Sequence, residues 1–277
     1  MQRKPARRVS DIPASVLDLL NQGLLESGNL VEWLAINHAV LLSFCFNAIN
    51  IKSLAELIQV EYAKLKKPTV MVCYQRLSPH ILDYAEQNDC VDKIEKALLN
   101  HHSDSLRGYA AYFIAQKNSY TLEQKLEKIF PLAADKHFGV RELAWLALRP
   151  SLVRELEKSL SILSLWARNK DENIRRFASE STRPRGVWCE HIAQLKATPE
   201  LALPILNSLC SDEAVYVQLS VGNWLNDASK SSPEFVRALC ARWQAENPQN
   251  SHTIKIVKRA LRSLEKIAAC NQGLFFR

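Results

Sequence analysis

Ile174-Arg175-Arg176-Phe177-Ala178-Ser179-Glu180-Ser181-Thr182-Arg183-Pro184-Arg185-Gly186-Val187-Trp188 is the stretch that decides the fold. It opens with a short pattern, aliphatic–Arg/Gln–x–x–Ala/Val, that the chain uses repeatedly. Other copies are Leu106-Arg107-Gly108-Tyr109-Ala110, Val140-Arg141-Glu142-Leu143-Ala144 and Val217-Gln218-Leu219-Ser220-Val221, with a looser one from Ile256 to Ala260. An acidic residue precedes each clear copy: Asp104, Asp135, Asp171 and Asp212. Repetition at spacings of 34, 34 and 43 residues, in helix-forming sequence, indicates stacked helix pairs and hence an all-α HEAT-like helical-repeat solenoid with a basic concave cleft.

The remaining sequence agrees. Apolar residues recur at helical spacing in Ser15 to Leu25, Leu54 to Leu65, Leu122 to Ile129, Leu152 to Trp166 and Phe235 to Trp243. Thr121 with Gln124 reads as a capping box, and Ser53 and Ser232-Pro233 as helix starts. Only Val70-Met71-Val72-Cys73-Tyr74 resembles a strand, and it is short. Seven glycines in 277 residues also favour helices. The spacing predicts a flexible basic tail over 1–12 and a single solenoid domain over 13–277, with divergent helices at 13–100 and recognisable repeats at 101–266.

Composition narrows the function. Hydrophobic residues make up 47% and charged residues 23%, as in ordinary globular protein. No apolar run reaches the roughly 18 residues that span a bilayer. The basic Met1 to Arg8 is not followed by an apolar signal-type segment, so the expectation is a cytoplasmic, monomeric protein without a membrane partner. The cysteines at 45, 73, 90, 189, 210, 240 and 270 form no Cys-x-x-Cys pair, so neither a metal nor another cofactor is expected. A net charge of +7 suits a polyanionic partner.

When the copies are superposed, positions 3, 7 and 10 share one helix face. They read Gly108, Tyr112, Ala115; then Glu142, Leu146, Arg149; then Arg176, Glu180, Arg183; then Leu219, Asn223, Asn226, with Trp224 and Asp227 one step round. Polar residues on that face in consecutive repeats mark a candidate site. Histidine, serine-triad and glycine-loop chemistries lack their residues there. Carboxylates (Glu180, Asp227, Glu142), guanidiniums (Arg149, Arg183, Arg185) and indoles (Trp145, Trp188, Trp224) remain. Arginines grip phosphates, indoles stack on bases or cations, and a carboxylate can stabilise a cationic sugar or orient water. A protein-binding groove would use Trp and Arg as well.

The chain resembles the AlkC/AlkD family of HEAT-like-repeat DNA alkylation repair glycosylases, and AlkC most. The likeness rests on Arg175-Arg176-x-x-Ser179-Glu180-x-Thr182-Arg183-Pro184-Arg185-x-x-Trp188, on Ser220-Val221-x-Asn223-x-Leu225-Asn226-Asp227-x-Ser229-Lys230, and on Arg259-Ala260-Leu261-Arg262-Ser263-Leu264. It is specific over about 137–266 and faint before that. The resemblance implies excision of cationic alkylated bases, such as 3-methyladenine, from duplex DNA. The base is already charged and leaves without a general acid. Glu180 and Asp227 match acidic pocket positions, with Glu142 a possible third; Arg183 matches a backbone-binding arginine and Trp188 a pocket aromatic. Arg149-Pro150 matches an Arg-Pro that closes the preceding inner helix. Arg149, Arg183, Arg185 and Lys230 would then hold phosphates, Trp145, Trp188 and Trp224 would stack on the lesion nucleotide, and Asn223 would contact DNA. Two positions depart from the family: Trp145 stands where AlkC proteins carry Glu, and Trp224 where they carry Asn. A non-catalytic DNA-binding relative and a protein-interaction solenoid are the alternatives.

Overall fold

A computed structural model describes residues 3–186 and 189–274 of the chain. Among these residues every regular element is helical. The chain groups into two compact units, residues 1–148 and 149–277.

The first unit contains a 3-10 turn (Val9–Asp11), α1 (Ala14–Asn21), α2 (Leu30–Ala35), α3 (His38–Ala48), α4 (Lys52–Ala63), α5 (Val70–Gln87), α6 (Val91–Leu99), α7 (Asp104–Gln116), α8 (Leu122–Ala133) and most of α9 (Phe138–Arg154). The second contains the end of α9, then α10 (Leu156–Trp166), α11 (Glu172–Ser181), α12 (Ala193–Ala197), a 3-10 turn (Pro199–Ala202), α13 (Leu203–Ser208), α14 (Val215–Ala228), α15 (Pro233–Glu246) and α16 (Ser251–Leu274). No helix among the described residues is long and apolar enough to cross a membrane.

The repeated pattern has a physical basis. Its aliphatic and Ala/Val positions (Leu106 and Ala110, Val140 and Ala144, Ile174 and Ala178, Val217 and Val221) are each 0% exposed, so they form the seam on which helices stack. The Arg/Gln between them folds back onto the turn before its own helix. Arg107 Nη1 donates to the carbonyls of His101 and His102, Arg141 Nη1 to those of Asp135 and Lys136, Arg175 Nη1 to those of Asn169 and Lys170, and Gln218 Nε2 to those of Asp212 and Glu213. The acidic residues complete the link between neighbouring repeats. Asp135 accepts from Arg107 Nε at 2.7 Å, and Asp212 from Arg175 Nε at 2.6 Å. The same two carboxylates also take the backbone N–H of His137 and Ala214 in the turns that lead into α9 and α14.

Some elements differ from expectation. Val70-Met71-Val72-Cys73-Tyr74 begins helix α5, capped by Thr69, because buried Val70, Cys73, Tyr74 and Leu77 extend a helical rather than an alternating period. Pro150 does not close α9. The helix continues to Arg154, and buried Leu152 beyond the proline anchors its last turn. The N-terminal segment is held rather than free. Arg3 pairs with the buried Glu32 through both carboxylate oxygens, Ala6 N–H donates to the same carboxylate, and Asn29 Nδ2 donates to the Ala6 carbonyl at 2.7 Å. The capping box is present as read: Thr121 and Gln124 exchange hydrogen bonds at the start of α8.

Candidate functional site

Helix α11 carries the centre of the site, and its ends are fixed by its own residues. Asp171 caps the N-terminus by accepting from Asn173 N–H at 2.8 Å. At the other end Thr182 Oγ1 donates to the carbonyls of Ala178 and Ser179, closing the last turn before the Arg183-Pro184 step forbids another. This leaves Glu180 on the final turn and Arg183 just beyond it, both directed at α14.

Arg183 lies between two carboxylates. Its Nη1 donates to Glu180 Oε1 at 2.7 Å, while Nε and Nη2 both donate to Asp227 Oδ2, at 2.9 and 2.6 Å. Glu180 and Asp227 are each 5% exposed. The other oxygen of Glu180 is held by Ser220, whose Oγ donates at 2.7 Å and which hydrogen-bonds in turn with Ser179 Oγ at 2.8 Å. Arg176 Nη2 lies 3.5 Å from the same oxygen, and its guanidinium rests 4.7 Å from the centroid of the Tyr216 ring. Lys230 Nζ reaches Asp227 Oδ1 at 3.3 Å, with its side chain 49% exposed.

The electrostatics follow from this packing. Burial pushes the Glu180 carboxyl up, but the neighbouring Arg176 and Arg183 and the Ser220 hydrogen bond more than offset it, so it sits below its ordinary value. Glu180 is therefore an anion at neutral pH and unsuited to act as a general acid. Arg183 is likewise disfavoured by burial, yet Glu180 and Asp227 hold its charge more firmly than usual.

Several residues singled out from sequence occupy different settings. Arg149 is 2% exposed and enclosed by backbone: Nη1 donates to the Ser181 carbonyl, Nη2 to those of Arg183 and Glu190, and Nε to that of Glu190. It ties the segment after α11 to the end of α9, with Nε, Nη1 and Nη2 all turned to backbone carbonyls. Trp224 is 0% exposed, and its indole N–H donates to the Thr182 carbonyl at 2.9 Å, so its ring belongs to the core rather than to a stacking surface. Asn223 Oδ1 accepts from Arg259 Nε at 2.9 Å and thereby orients a cation. Arg185 is half-buried, with its Nε lacking a hydrogen-bond partner among the described residues. In the first unit, Trp145 is 5% exposed and donates its indole N–H to Glu142 at 2.8 Å. Trp188 lies outside the described residues.

Ser220, Arg176, Arg259 and Arg262 complete the site, although sequence reasoning did not select them. Arg176 stands on the shared face with Glu180 and Arg183. Ser220, Arg259 and Arg262 lie within the quoted motifs, and only the packing of α14 against α11 and α16 brings Ser220 onto Glu180, Arg259 onto Asn223 and Arg262 within electrostatic reach of Asp227. No group of three or more His, Cys, Asp or Glu side chains among the described residues is arranged to hold a metal ion.

A family described as DNA alkylation repair enzyme matches residues 84–262. The uncharacterized protein YhaZ of Bacillus subtilis (strain 168) is 40% identical over 147 residues, which is 53% of this chain but only 40% of that relative's length. Among solved structures, Pseudomonas fluorescens alkylpurine DNA glycosylase AlkC, bound to DNA containing an abasic site analog, is similar with a TM-score of 0.65 and 26% identity; the match covers 94% of this chain and 66% of that one. AlkD2 from Streptococcus mutans has a TM-score of 0.56 at 20% identity, over 76% of this chain and 96% of its own, a likeness of fold.

Proposed function

The chain belongs to the DNA alkylation repair enzyme family, and from that premise we propose that it is a DNA glycosylase. It hydrolyses the N-glycosidic bond of cationic alkylated bases, 3-methyladenine-like, in duplex DNA. The observation that carries this reading is the pair of buried carboxylates, Glu180 and Asp227, joined through Arg183. A cationic base leaves without protonation, so the protein need only stabilise positive charge developing on the sugar and direct a water to it. Glu180, depressed in pKa, supplies a fixed negative charge. Asp227, its second oxygen facing the half-exposed Lys230, is the carboxylate nearer the surface cations and the one to orient water. The enzyme acts as a monomer in the cytoplasm, associated with the nucleoid if its host is a prokaryote, and uses no cofactor.

One observation favours a second reading, binding without catalysis. Arg176, Arg183 and Lys230 all lie against the two carboxylates and mask their charge. Single-turnover base release by wild type, Glu180→Gln and Asp227→Asn, with duplex affinity measured separately, separates the two. Release lost in either variant at near-constant affinity supports the glycosylase. Equal release in all three removes the carboxylates from the chemistry, and affinity without release by the wild type favours the binder.

A further inference from the structure

We infer that Arg259 and Arg262 on α16 form a seat for backbone phosphates of the bound DNA strand. The inference rests on the DNA-binding part of the proposed function.

The observation behind it is which guanidinium donors are engaged. Arg149 directs Nε, Nη1 and Nη2 at backbone carbonyls, and Arg183 directs the same three nitrogens at Glu180 and Asp227. A phosphate that took the engaged N–H groups of either one would displace these partners. Arg259 and Arg262 differ. Among the described residues, Arg259 uses only Nε, toward Asn223, and Arg262 only Nη1, toward the Arg259 carbonyl. The remaining edge of each planar fork is unengaged, and that edge matches two oxygens of a phosphodiester.

Both arginines are placed rather than loosely solvated. Both are half-buried. Gly222 on α14 lets α16 approach so closely that a Cβ there would stand 2.8 Å from Arg259 Cβ and 2.9 Å from its Cδ, so the stem of Arg259 lies directly on the glycine. Asn226 fixes the register, with Nδ2 donating to the Ala260 carbonyl at 3.1 Å and Oδ1 accepting from Ser263 Oγ at 3.3 Å. Fixed forks lose little freedom on binding.

The local charge is unbalanced toward cations. Burial, and then the neighbouring Arg259, lower the Arg262 pKa, and Asp227 only partly opposes them. Crowded guanidiniums with so little counter-charge are relieved by an incoming anion. Exposed Lys255, Lys258 and Lys266 continue the same helix, and Lys230 flanks it from the end of α14. Asp227 lies within electrostatic reach of Arg262.

The test is the salt dependence of binding to an undamaged duplex for wild type, Arg259→Gln, Arg262→Gln and the double variant. Lys52→Gln, an exposed residue of the first unit, serves as control. Each phosphate contact contributes about 0.9 to the slope of log affinity against log salt. Each single variant is expected to lower the slope by about 1 and the double by about 2, with affinity falling on the order of tenfold per fork near physiological salt. Arg262→Lys, which keeps the charge but not the fork, should keep the wild-type slope and lose part of the affinity, and affinity is the readout wherever a glutamine variant fails to fold. Slopes and affinities equal to wild type in the Arg259 and Arg262 variants would overturn the seat while leaving the glycosylase reading intact. Loss of slope in a protein that releases no base would uphold the seat and overturn the catalysis. A wild type that does not bind duplex DNA would overturn both.

Discussion

Arg183 donates two hydrogen bonds to a single oxygen of Asp227, Nε at 2.9 Å and Nη2 at 2.6 Å, across 44 residues of sequence. Its third nitrogen holds Glu180, so one guanidinium sets the separation of both carboxylates. An ammonium cannot reproduce this fork. Arg183→Lys should lower base release on the order of a hundredfold or more and destabilise the second unit by about 2–4 kcal/mol, because two buried carboxylates lose donors. Single-turnover release and urea unfolding check both effects, and a variant equal to wild type in both would contradict them.

Ser220 should act on Glu180 in a pH-dependent way. Because the folded-state pKa of Glu180 is lowered, its contribution to stability is fully present above the unfolded value of 4.5 and is lost as pH falls through the depressed folded value. Ser220→Ala removes one donor to the carboxylate and brings the folded value back toward 4.5. The variant should be about 1–2 kcal/mol less stable than wild type at pH 7, and the gap should narrow below pH 4.5. Urea unfolding at several pH values measures this, and a gap that does not change with pH would show that Ser220 only packs.

Arg149 is expected to matter for folding rather than for DNA affinity. Arg149→Lys leaves some of the carbonyls of Ser181, Arg183 and Glu190 without a donor. A loss of about 2–3 kcal/mol in unfolding free energy should follow, with the salt slope of duplex binding unchanged. A slope reduced by about 1 at undiminished stability would instead return Arg149 to the phosphate-binding set.

Trp224→Phe keeps the ring and removes the indole N–H that reaches the Thr182 carbonyl. Stability should fall by about 1–2 kcal/mol, and affinity for lesion DNA should hold in a folded sample. An affinity loss of tenfold or more without a change in melting temperature would mean that the ring stacks on nucleotide after all.

The helical repeat was legible because one residue pattern performs one task in every copy. The aliphatic positions of each copy must be buried, and Arg107, Arg141, Arg175 and Gln218 must each hold the preceding turn. The same register picks out Glu180 and Arg183 at positions 7 and 10 of one copy, and Asp227 one step round from position 10 of the next. What the register could not reveal was which polar atoms meet. Trp224 and Arg149 read as ligand-facing by residue type, yet both are closed off by contacts with the segment that follows α11, whose path no periodicity encodes. The N-terminal basic run read as a loose tail because Glu32, its buried counter-charge, is far away in sequence. Arg3 holds the Glu32 carboxyl down to about 2, a pairing with no local signature.

Release of free base from methylated duplex DNA by excess wild-type protein at neutral pH tests the central claim most directly. The account predicts first-order appearance of 3-methyladenine together with one abasic site per base released. Tight, salt-sensitive duplex binding with no base released over many hours would contradict it.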